Sequence, residues 1–302
     1  MDSIKWIRSD GTEYSLTGQS DIKVLFDREG FFMPPVSYVE EAVPIEDECS
    51  GTSIQEGKTV RRLNIEPREI RMRLRVSGAN PAELRQNVRK YMKAFSPLFG
   101  DGKLQVTTPD GIVRVLYCRY LDGLKGQENP DELTTTTQTL PLVLIAYDPY
   151  FYSEASTSIT ITEQSTTTSF FPFFPLTLNY AGSFGEVTIN NDGDATAYPV
   201  WTIYGPADFF KVSNLTTGEA FLIDGNVENG AIIGYSRYAT VDARPGNYLI
   251  ERSDGTNLFE YRSPDSVLFG FQPGENKIRV EIAGPASETK VDLNYQTRHL
   301  VV

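Results

Sequence analysis

From residue 170 onward, the sequence consists of short strand-like runs separated by turn signals, and it shows no helical period. The runs include GEVTINN (185–191), VWTIY (200–204) and KIRVEIAG (277–284), and turn signals come roughly every 8–12 residues, as in sandwiches and jelly rolls. Abundant Phe and Tyr favour the same interpretation, because aromatic side chains pack well on pleated sheets. The second half is therefore predicted to be an antiparallel β-sandwich.

The first half contains a run that alternates strictly between apolar and charged residues, EIRMRLRV (69–76). Its apolar residues face one side of the predicted strand, and Arg71, Arg73 and Arg75 face the other. Three arginines on one face repel one another unless they have partners. Two interpretations stay open: a solvated face paired with acids on neighbouring strands, or a contact surface that faces another subunit or a tube.

One helix is predicted, over NPAELRQNVRKYMKAF (80–95). Asn80 is a good N-cap, Pro81 suits the first helical position, and Glu83 completes an arrangement like a capping box. The apolar residues repeat at helical spacing and should dock on a sheet. They are Leu84, Val88, Met92 and Phe95.

Residues 31–53 are predicted to be loop-rich, because Pro34, Pro35 and Pro44 exclude regular helix there. Phe31 and Phe32 at its start belong either to the core or to a contact surface. A long strand ends near Asp148-Pro149, which predicts two domains, 1–152 and 153–302. The chain is thus expected to be mainly β, with a mixed N-terminal β-domain that carries one helix.

Charge and cysteine content exclude several classes of protein. The net charge is −12, with 19 Lys and Arg against 22 Asp and Glu in residues 1–150, and 9 against 18 in residues 151–302. Neither half has the excess of basic residues that a nucleic-acid groove needs. Cys49 and Cys118 form no zinc spacing and no disulfide framework, and Cys118 should pack as an apolar group. No signal segment or transmembrane run is found, so we expect synthesis in a cytoplasm and no membrane partner.

The sequence offers little catalytic or ligand-binding chemistry. His299 is the single histidine, and on an end expected to fray it is a poor catalytic group. Asp192 and Asp194 faintly resemble a calcium loop, but an Asx-type turn is the simpler interpretation. Asn214-Leu215-Thr216 forms a glycosylation sequon. We predict no catalytic residue, no cofactor and no metal, although a pair of carboxylates serving a hydrolase cannot be located by sequence.

Several segments, in this order, resemble the distal tail proteins of long-tailed phages with non-contractile tails. They are FFMPPV, the single helix followed by a β-hairpin, AYDPYFYSE, FFPFFPLTL, NDGDATAYPVWTIYGPA and PGENKIRVEIAG. The resemblance implies an N-terminal domain that forms a hexameric ring between the tail tube and the tail-tip or baseplate proteins. It also implies a galectin-like C-terminal sandwich, and a location at the tail tip of a virion.

The resemblance implies partners as well: further copies of the chain, the tail tube protein, the tape measure protein, a tail-associated lysin or hub protein, and in some relatives a receptor-binding protein. Candidate ring contacts are Phe31, Phe32, Arg71, Arg73 and Arg75. Two other functions stay open. The first is a carbohydrate-binding adsorption module that uses Trp201 or the aromatics of residues 170–175, and the second is a cell-wall hydrolase.

Overall fold

The computed structural model describes residues 2–41, 59–125, 136–163, 168–171, 174–178, 184–225 and 231–302. Backbone contacts divide the chain into two compact units, Met1–Glu154 with His299–Val302, and Ala155–Arg298. Strands dominate both, which confirms the prediction of a mainly β chain. The domain boundary predicted from the sequence, between residues 152 and 153, remains a prediction.

The first unit is built on one curled antiparallel sheet. The strands of this unit are β1 (Ser3–Ile7), β2 (Glu13–Ser15), β3 (Ile22–Glu29), β4 (Val36–Glu41), β5 (Thr59–Ile65), β6 (Arg68–Ser77), β7 (Gly102–Thr107), β8 (Val113–Gly123), β9 (Thr137–Ala146) and β10 (Phe151–Ser153), of which β4 and β5 lie outside the curled sheet. The order is β2-β1-β7-β8-β9-β6-β3, and β10 adds to β8. The sheet curls at β8, whose first part pairs with β7 and whose last residues pair with β9 across a register shift.

The apolar face of β6 lies in the core of this unit, as the alternation predicts. Ile70, Leu74 and Val76 are fully buried, while the three arginines between the apolar residues are exposed. Residues that alternate along a strand point to opposite faces, so this burial pattern fixes the register of β6.

The predicted helix is α1 (Pro81–Ala94), and it docks on the sheet. The Asn80 side chain accepts from the Glu83 amide at 2.9 Å, and the Glu83 carboxylate accepts from the Ala79 amide, also at 2.9 Å. The buried face differs from the prediction, because Tyr91 and Ala94 are almost fully buried and Met92 is only half-buried. The indole nitrogen of Trp6 donates to the Ala94 carbonyl at 2.8 Å, which ties the last turn to β1.

The prediction that residues 31–53 are loop-rich is wrong for Val36–Glu41, which form β4. This strand pairs with β5 in a separate two-stranded sheet, here called the β4–β5 ribbon. The partner strand comes from residues 59–65, so the pairing is not a local signal near Pro34 and Pro35. Residues 42–53, with Pro44 and Cys49, lie outside the described part of the chain.

The second unit is an antiparallel β-sandwich, which confirms that prediction. Its strands are β11 (Thr157–Thr162), β12 (Thr168–Phe171), β13 (Phe174–Leu178), β14 (Gly185–Asn191), β15 (Val200–Tyr204), β16 (Phe209–Asn214), β17 (Ala220–Asp224), β18 (Tyr238–Asp242), β19 (Leu249–Arg252), β20 (Gly274–Ala283) and β21 (Lys290–Tyr295). A five-stranded sheet, β11-β21-β15-β18-β19, faces a four-stranded sheet, β14-β20-β16-β17, and β12 pairs with β13. A two-residue strand, β22 (Arg298–His299), follows; its His299 belongs to the first unit, and β22 pairs with β10.

Aromatic rings fill the space between the two sheets of the sandwich. Trp201 is fully buried, and it meets Phe221, Phe269 and Phe271 edge to face, with ring centroids 6.0–6.3 Å apart. Such pairs stabilise a core beyond the area that they bury.

One pentapeptide, Arg-Ser-Asp-Gly-Thr, occurs in both units and folds the same way in each. At residues 8–12 and 252–256, the first and fifth residues are joined by a backbone hydrogen bond of 3.0 or 2.9 Å. Each glycine has a positive φ, +82° at Gly11 and +85° at Gly255, a region that glycine enters without a steric penalty. Asp10 and Gly11 lie in the hairpin turn between β1 and β2, and the same local sequence builds a turn in the sandwich.

Candidate assembly surface

The β4–β5 ribbon carries an exposed apolar face. Val36 lies opposite Ile65, and Tyr38 lies opposite Leu63. Tyr38 is 56% exposed and Leu63 is 53% exposed. A two-stranded ribbon is marginally stable alone in water, and contiguous exposed apolar side chains mark surfaces that meet a partner. This face is therefore the strongest candidate contact surface of the first unit.

The base of the ribbon is tied by hydrogen bonds. The Glu66 amide donates to the Pro35 carbonyl at 2.8 Å, and the Ser37 hydroxyl donates to the Glu66 carboxylate. We call these three residues, which lie where the two strands leave the body of the unit, the ribbon root.

The structure separates the two phenylalanines predicted as a contact pair. Phe31 is 2% exposed and belongs to the core cluster of the unit. Phe32 is 70% exposed, and the next residue, Met33, is 65% exposed. Phe32 is thus available to a partner, whereas Phe31 anchors the loop that leads into the ribbon.

The arginine face of β6 is electrostatically uneven. The Arg71 guanidinium lies 2.7 Å from the Glu69 carboxylate and 4.0 Å from that of Glu29, and the hydrogen bond that Arg71 donates to Glu69 raises the pKa of Arg71. Arg75 lies opposite Lys23 of β3, a like charge. Like charges directly across a sheet are destabilising. The acid-paired interpretation therefore describes Arg71, and the Lys23–Arg75 end is the part suited to an anionic partner.

Arg73 lies between these two arginines on the same exposed face. Its neighbours are Leu25 on β3 and Pro141 on β9. It therefore combines a charge with apolar neighbours, a combination common at protein interfaces.

The NNDGD segment (190–194) is organised by an asparagine that sequence reasoning missed. The Asn191 side chain accepts from the Gly193 amide at 3.0 Å and donates to the Phe271 and Ala195 carbonyls at 2.9 and 3.0 Å. Asp192 and Asp194 gather no third acid, and no group of three potential metal ligands occurs in the described residues. The geometry is that of the Asx-type turn.

The sequon asparagine and the PGEN motif share one buried network. The Asn214 amide donates to the side-chain oxygen of Asn276 at 3.1 Å, and Asn214 is 1% exposed. Asn276 in turn donates to the Gln272 and Gly274 carbonyls at 2.7 and 3.0 Å. Asn214 is thus committed to holding the sandwich and presents no accessible amide for a glycan.

The remaining candidates from the sequence, Trp201, Cys118 and His299, are buried. Trp201 is fully buried and offers no platform for a sugar, while Pro172 and Phe173 lie outside the described residues. Cys118 is buried, and this burial raises the pKa of its thiol far above its usual range, in accord with apolar packing. The expectation that His299 frays is wrong, because it lies in β22 and is 8% exposed.

By sequence, the chain matches no protein-family model and no curated protein. By structure, it is similar to the Dit protein (gp 19.1) of phage SPP1, described as a paradigm of hub adsorption apparatus in phages that infect Gram-positive bacteria. The TM-score is 0.64 at 12% identity, over 99% of both chains.

The chain has the distal tail protein fold. It is also similar to a chain of the phage p2 baseplate in its activated conformation with strontium, with a TM-score of 0.52 at 10% identity over the full length of both. The resemblance found in the sequence is thus confirmed at the level of the fold, although the sequence identity to both structures is low. Within the described residues, no helix is long and apolar enough to cross a membrane.

Proposed function

We propose that this chain is a structural protein of a phage tail tip, a distal tail protein. Its copies close into a hexameric ring that joins the tail tube to the tail-tip or baseplate proteins. The observation that carries the proposal is the similarity to SPP1 Dit, which spans 99% of both chains and therefore includes both units.

The surface of the first unit supports a role for that unit in the ring. In a closed ring, each contact is heterologous, so one patch of a copy meets a different patch of the next copy. The β4–β5 ribbon offers one such patch through Tyr38 and Leu63. The exposed face of β6, with Arg73 and Arg75, offers a second patch of different character.

The proposal assigns the remaining partners by position in the tail. The ring would meet the tail tube protein on one side and a tail-associated lysin or hub protein on the other, and the tape measure protein would be a further partner. The second unit would be available to a receptor-binding protein. No catalytic step and no cofactor is assigned to the chain.

Electron microscopy of the purified full-length protein tests the proposal. We expect sixfold rings, either from the protein alone or after addition of the neighbouring tube and tip proteins. A protein that stays monomeric under both conditions contradicts the proposal. A glycan array provides the test for the carbohydrate-binding alternative, because a hub without sugar recognition gives no saccharide signal.

A further inference from the structure

Arg68, the first residue of β6, is a fully buried arginine whose hydrogen bonds all go to backbone carbonyls. Its Nε donates to Pro149 at 2.7 Å, and one terminal nitrogen donates to Gly30 at 2.8 Å and to Phe32 at 2.6 Å. The other terminal nitrogen donates to Leu300 at 2.7 Å. One side chain therefore joins three segments that are far apart in the sequence.

No carboxylate among the described residues forms an ion pair with Arg68. The guanidinium lies 4.8 Å from the centre of the Phe151 ring, and burial lowers its pKa to about 10, so it stays charged at neutral pH. Burying a charge is costly unless it is hydrogen-bonded. Four carbonyl acceptors and one aromatic face provide that compensation here.

The loop held by Arg68 is the one that leads into the β4–β5 ribbon. Its carbonyls at Gly30 and Phe32 accept from the same nitrogen, while the Phe31 side chain between them is buried in the core. Gly30 has a φ of +90°, and a Cβ atom there would lie 2.0 Å from the Glu69 carbonyl oxygen. The loop is thus pressed against β6 beside Arg68, and its path is fixed from two directions.

The ribbon root lies next to this arginine in the chain. Glu66, which bonds Pro35 and Ser37, is two residues before Arg68 on the strand side, and Phe32 is three residues before Pro35 on the loop side. The two chain segments that join the ribbon to the body of the unit therefore pass close to one guanidinium. Lysine cannot replace it, because an ammonium lacks the planar fork that reaches several acceptors at once.

We propose that Arg68 is a positioning residue for assembly, and that residues 299–302 take part through the Leu300 carbonyl. Together they fix the direction in which the ribbon leaves the first unit. This inference rests on the proposed function, because it gives the ribbon a role in joining copies of the chain.

Hydrogen exchange measured by mass spectrometry tests whether Arg68 and the Leu300 carbonyl hold the ribbon root in place. Two variants of the full-length protein remove one partner each: Arg68→Lys changes the donor, and removal of residues 300–302 takes away the Leu300 acceptor but keeps Arg68. Each should speed exchange about tenfold at residues 31–37 and 64–66, since each removes at least one charge-assisted hydrogen bond.

Two controls separate positioning from general loosening. Arg89→Lys changes an exposed arginine on α1, and Val302→Ser removes apolar packing but keeps the Leu300 carbonyl. Neither should change exchange at the ribbon root. In a Trp201→Phe background, where Trp6 is the only tryptophan, the fluorescence of the truncated protein should keep the melting profile of the untruncated chain. Unchanged exchange at the root after the truncation would overturn the inference.

Sedimentation velocity then separates this inference from the proposed function. If wild-type protein forms rings and the truncated protein forms them equally well with unchanged exchange, the role of Arg68 fails alone. If wild-type protein forms no ring, the proposed function fails, and the exchange experiment still decides whether residues 300–302 fix the ribbon root. Rings that dissociate at about tenfold higher concentration in both variants support the inference.

Discussion

The two units bury their cores in the same way but differ in what they leave exposed. Both use antiparallel sheets with aromatic residues inside. Among the described residues, eight exposed large hydrophobic residues lie in the short stretch from Phe32 to Ile65 of the first unit. The second unit exposes six, three of them tyrosines, spread between Leu215 and Val267. The surface suited to self-association therefore lies in the first unit.

Charge strengthens this contrast. The second half of the sequence has a net charge of −9 and the first half −3, within a total of −12. A strongly charged surface keeps copies apart, whereas a nearly balanced one permits close association. In the proposed assembly, the second unit is thus suited to remain solvated and the first to make the contacts.

The largest expected effect is on stability, and it comes from a substitution that destabilises the second unit alone. Trp201→Ala should destabilise the sandwich by about 3–5 kcal/mol, because it empties the space between Phe221, Phe269 and Phe271. Trp6 is then the only tryptophan, so its emission reports the first unit. We expect the Trp6 transition and the rings to persist, as judged by fluorescence melting and sedimentation.

Trp201→Phe is the matched control, because it keeps most of the ring volume and should cost less than about 1.5 kcal/mol. If Trp201→Ala also abolished the rings while the Trp6 transition persisted, the second unit would be needed for assembly, and the contrast between the two units would be wrong.

The next effect tests the ribbon. Tyr38→Ser combined with Leu63→Ser should raise the concentration at which rings dissociate by about tenfold or more, since exposed apolar anchors contribute about 2 kcal/mol or more at contacts. The melting temperature of the unassembled chain should hardly change, because surface substitutions usually alter stability by less than about 0.5 kcal/mol. Sedimentation velocity over a dilution series measures this.

The control pair is Tyr248→Ser with Leu249→Ser, in the second unit. These residues are 54% and 39% exposed, similar to the ribbon pair. If the control substitutions weakened the rings and the ribbon substitutions did not, the contact would lie in the second unit and not in the β4–β5 ribbon.

A smaller effect is expected on the arginine face. Arg73→Glu and Arg75→Glu should each weaken the rings by about threefold to tenfold, because they reverse a charge at a proposed contact. Arg71→Glu serves for comparison, since Arg71 already pairs with Glu69 within its own strand. Native mass spectrometry should show the hexamer fraction falling for Arg73→Glu and Arg75→Glu. Unchanged hexamer in both would remove this face from the interface.

The smallest effect tests whether the repeated turn behaves alike in both units. Hydrogen bonds from Arg8 and Arg252 hold the pKa of Asp10 and Asp254 well below the usual range. A carboxylate with a lowered pKa stabilises the fold above its unfolded pKa of about 4 and loses that contribution as pH falls through its folded pKa.

Asp10→Asn and Asp254→Asn should each lower the melting temperature of their own unit slightly at pH 7, and by less at pH 3. Calorimetry at both values checks this. A clear shift in one unit and none in the other would show that the surroundings, and not the pentapeptide, govern the turn.

Local signals made much of the fold predictable. The helix follows from Asn80, Pro81 and Glu83, whose effects act within one turn, and the alternation around Arg73 fixed both the strand and its faces. The Arg-Ser-Asp-Gly-Thr turns show the same independence of context. The ribbon could not be predicted, because β4 depends on a partner strand across residues 42–58 and both strands are largely exposed.

The candidate surface could be predicted only in part from the sequence, because it too depends on contacts between residues that are distant in the chain. Sequence placed Phe31 and Phe32 together, but the loop path set by Gly30 and Arg68 buries the first and exposes the second. Arg68 itself resembled any charged residue at the start of a strand. Its hydrogen bonds could not be predicted locally, because the Pro149 and Leu300 carbonyls that accept them are distant in the sequence.

Hydrogen exchange of the assembled against the unassembled full-length chain tests the central claim most directly. The account predicts that assembly protects residues 36–41 and 59–65 of the ribbon and part of β6, and leaves the sandwich between residues 185 and 295 unchanged. Protection confined to the sandwich, or particles of several chains in which the ribbon gains none, would contradict it.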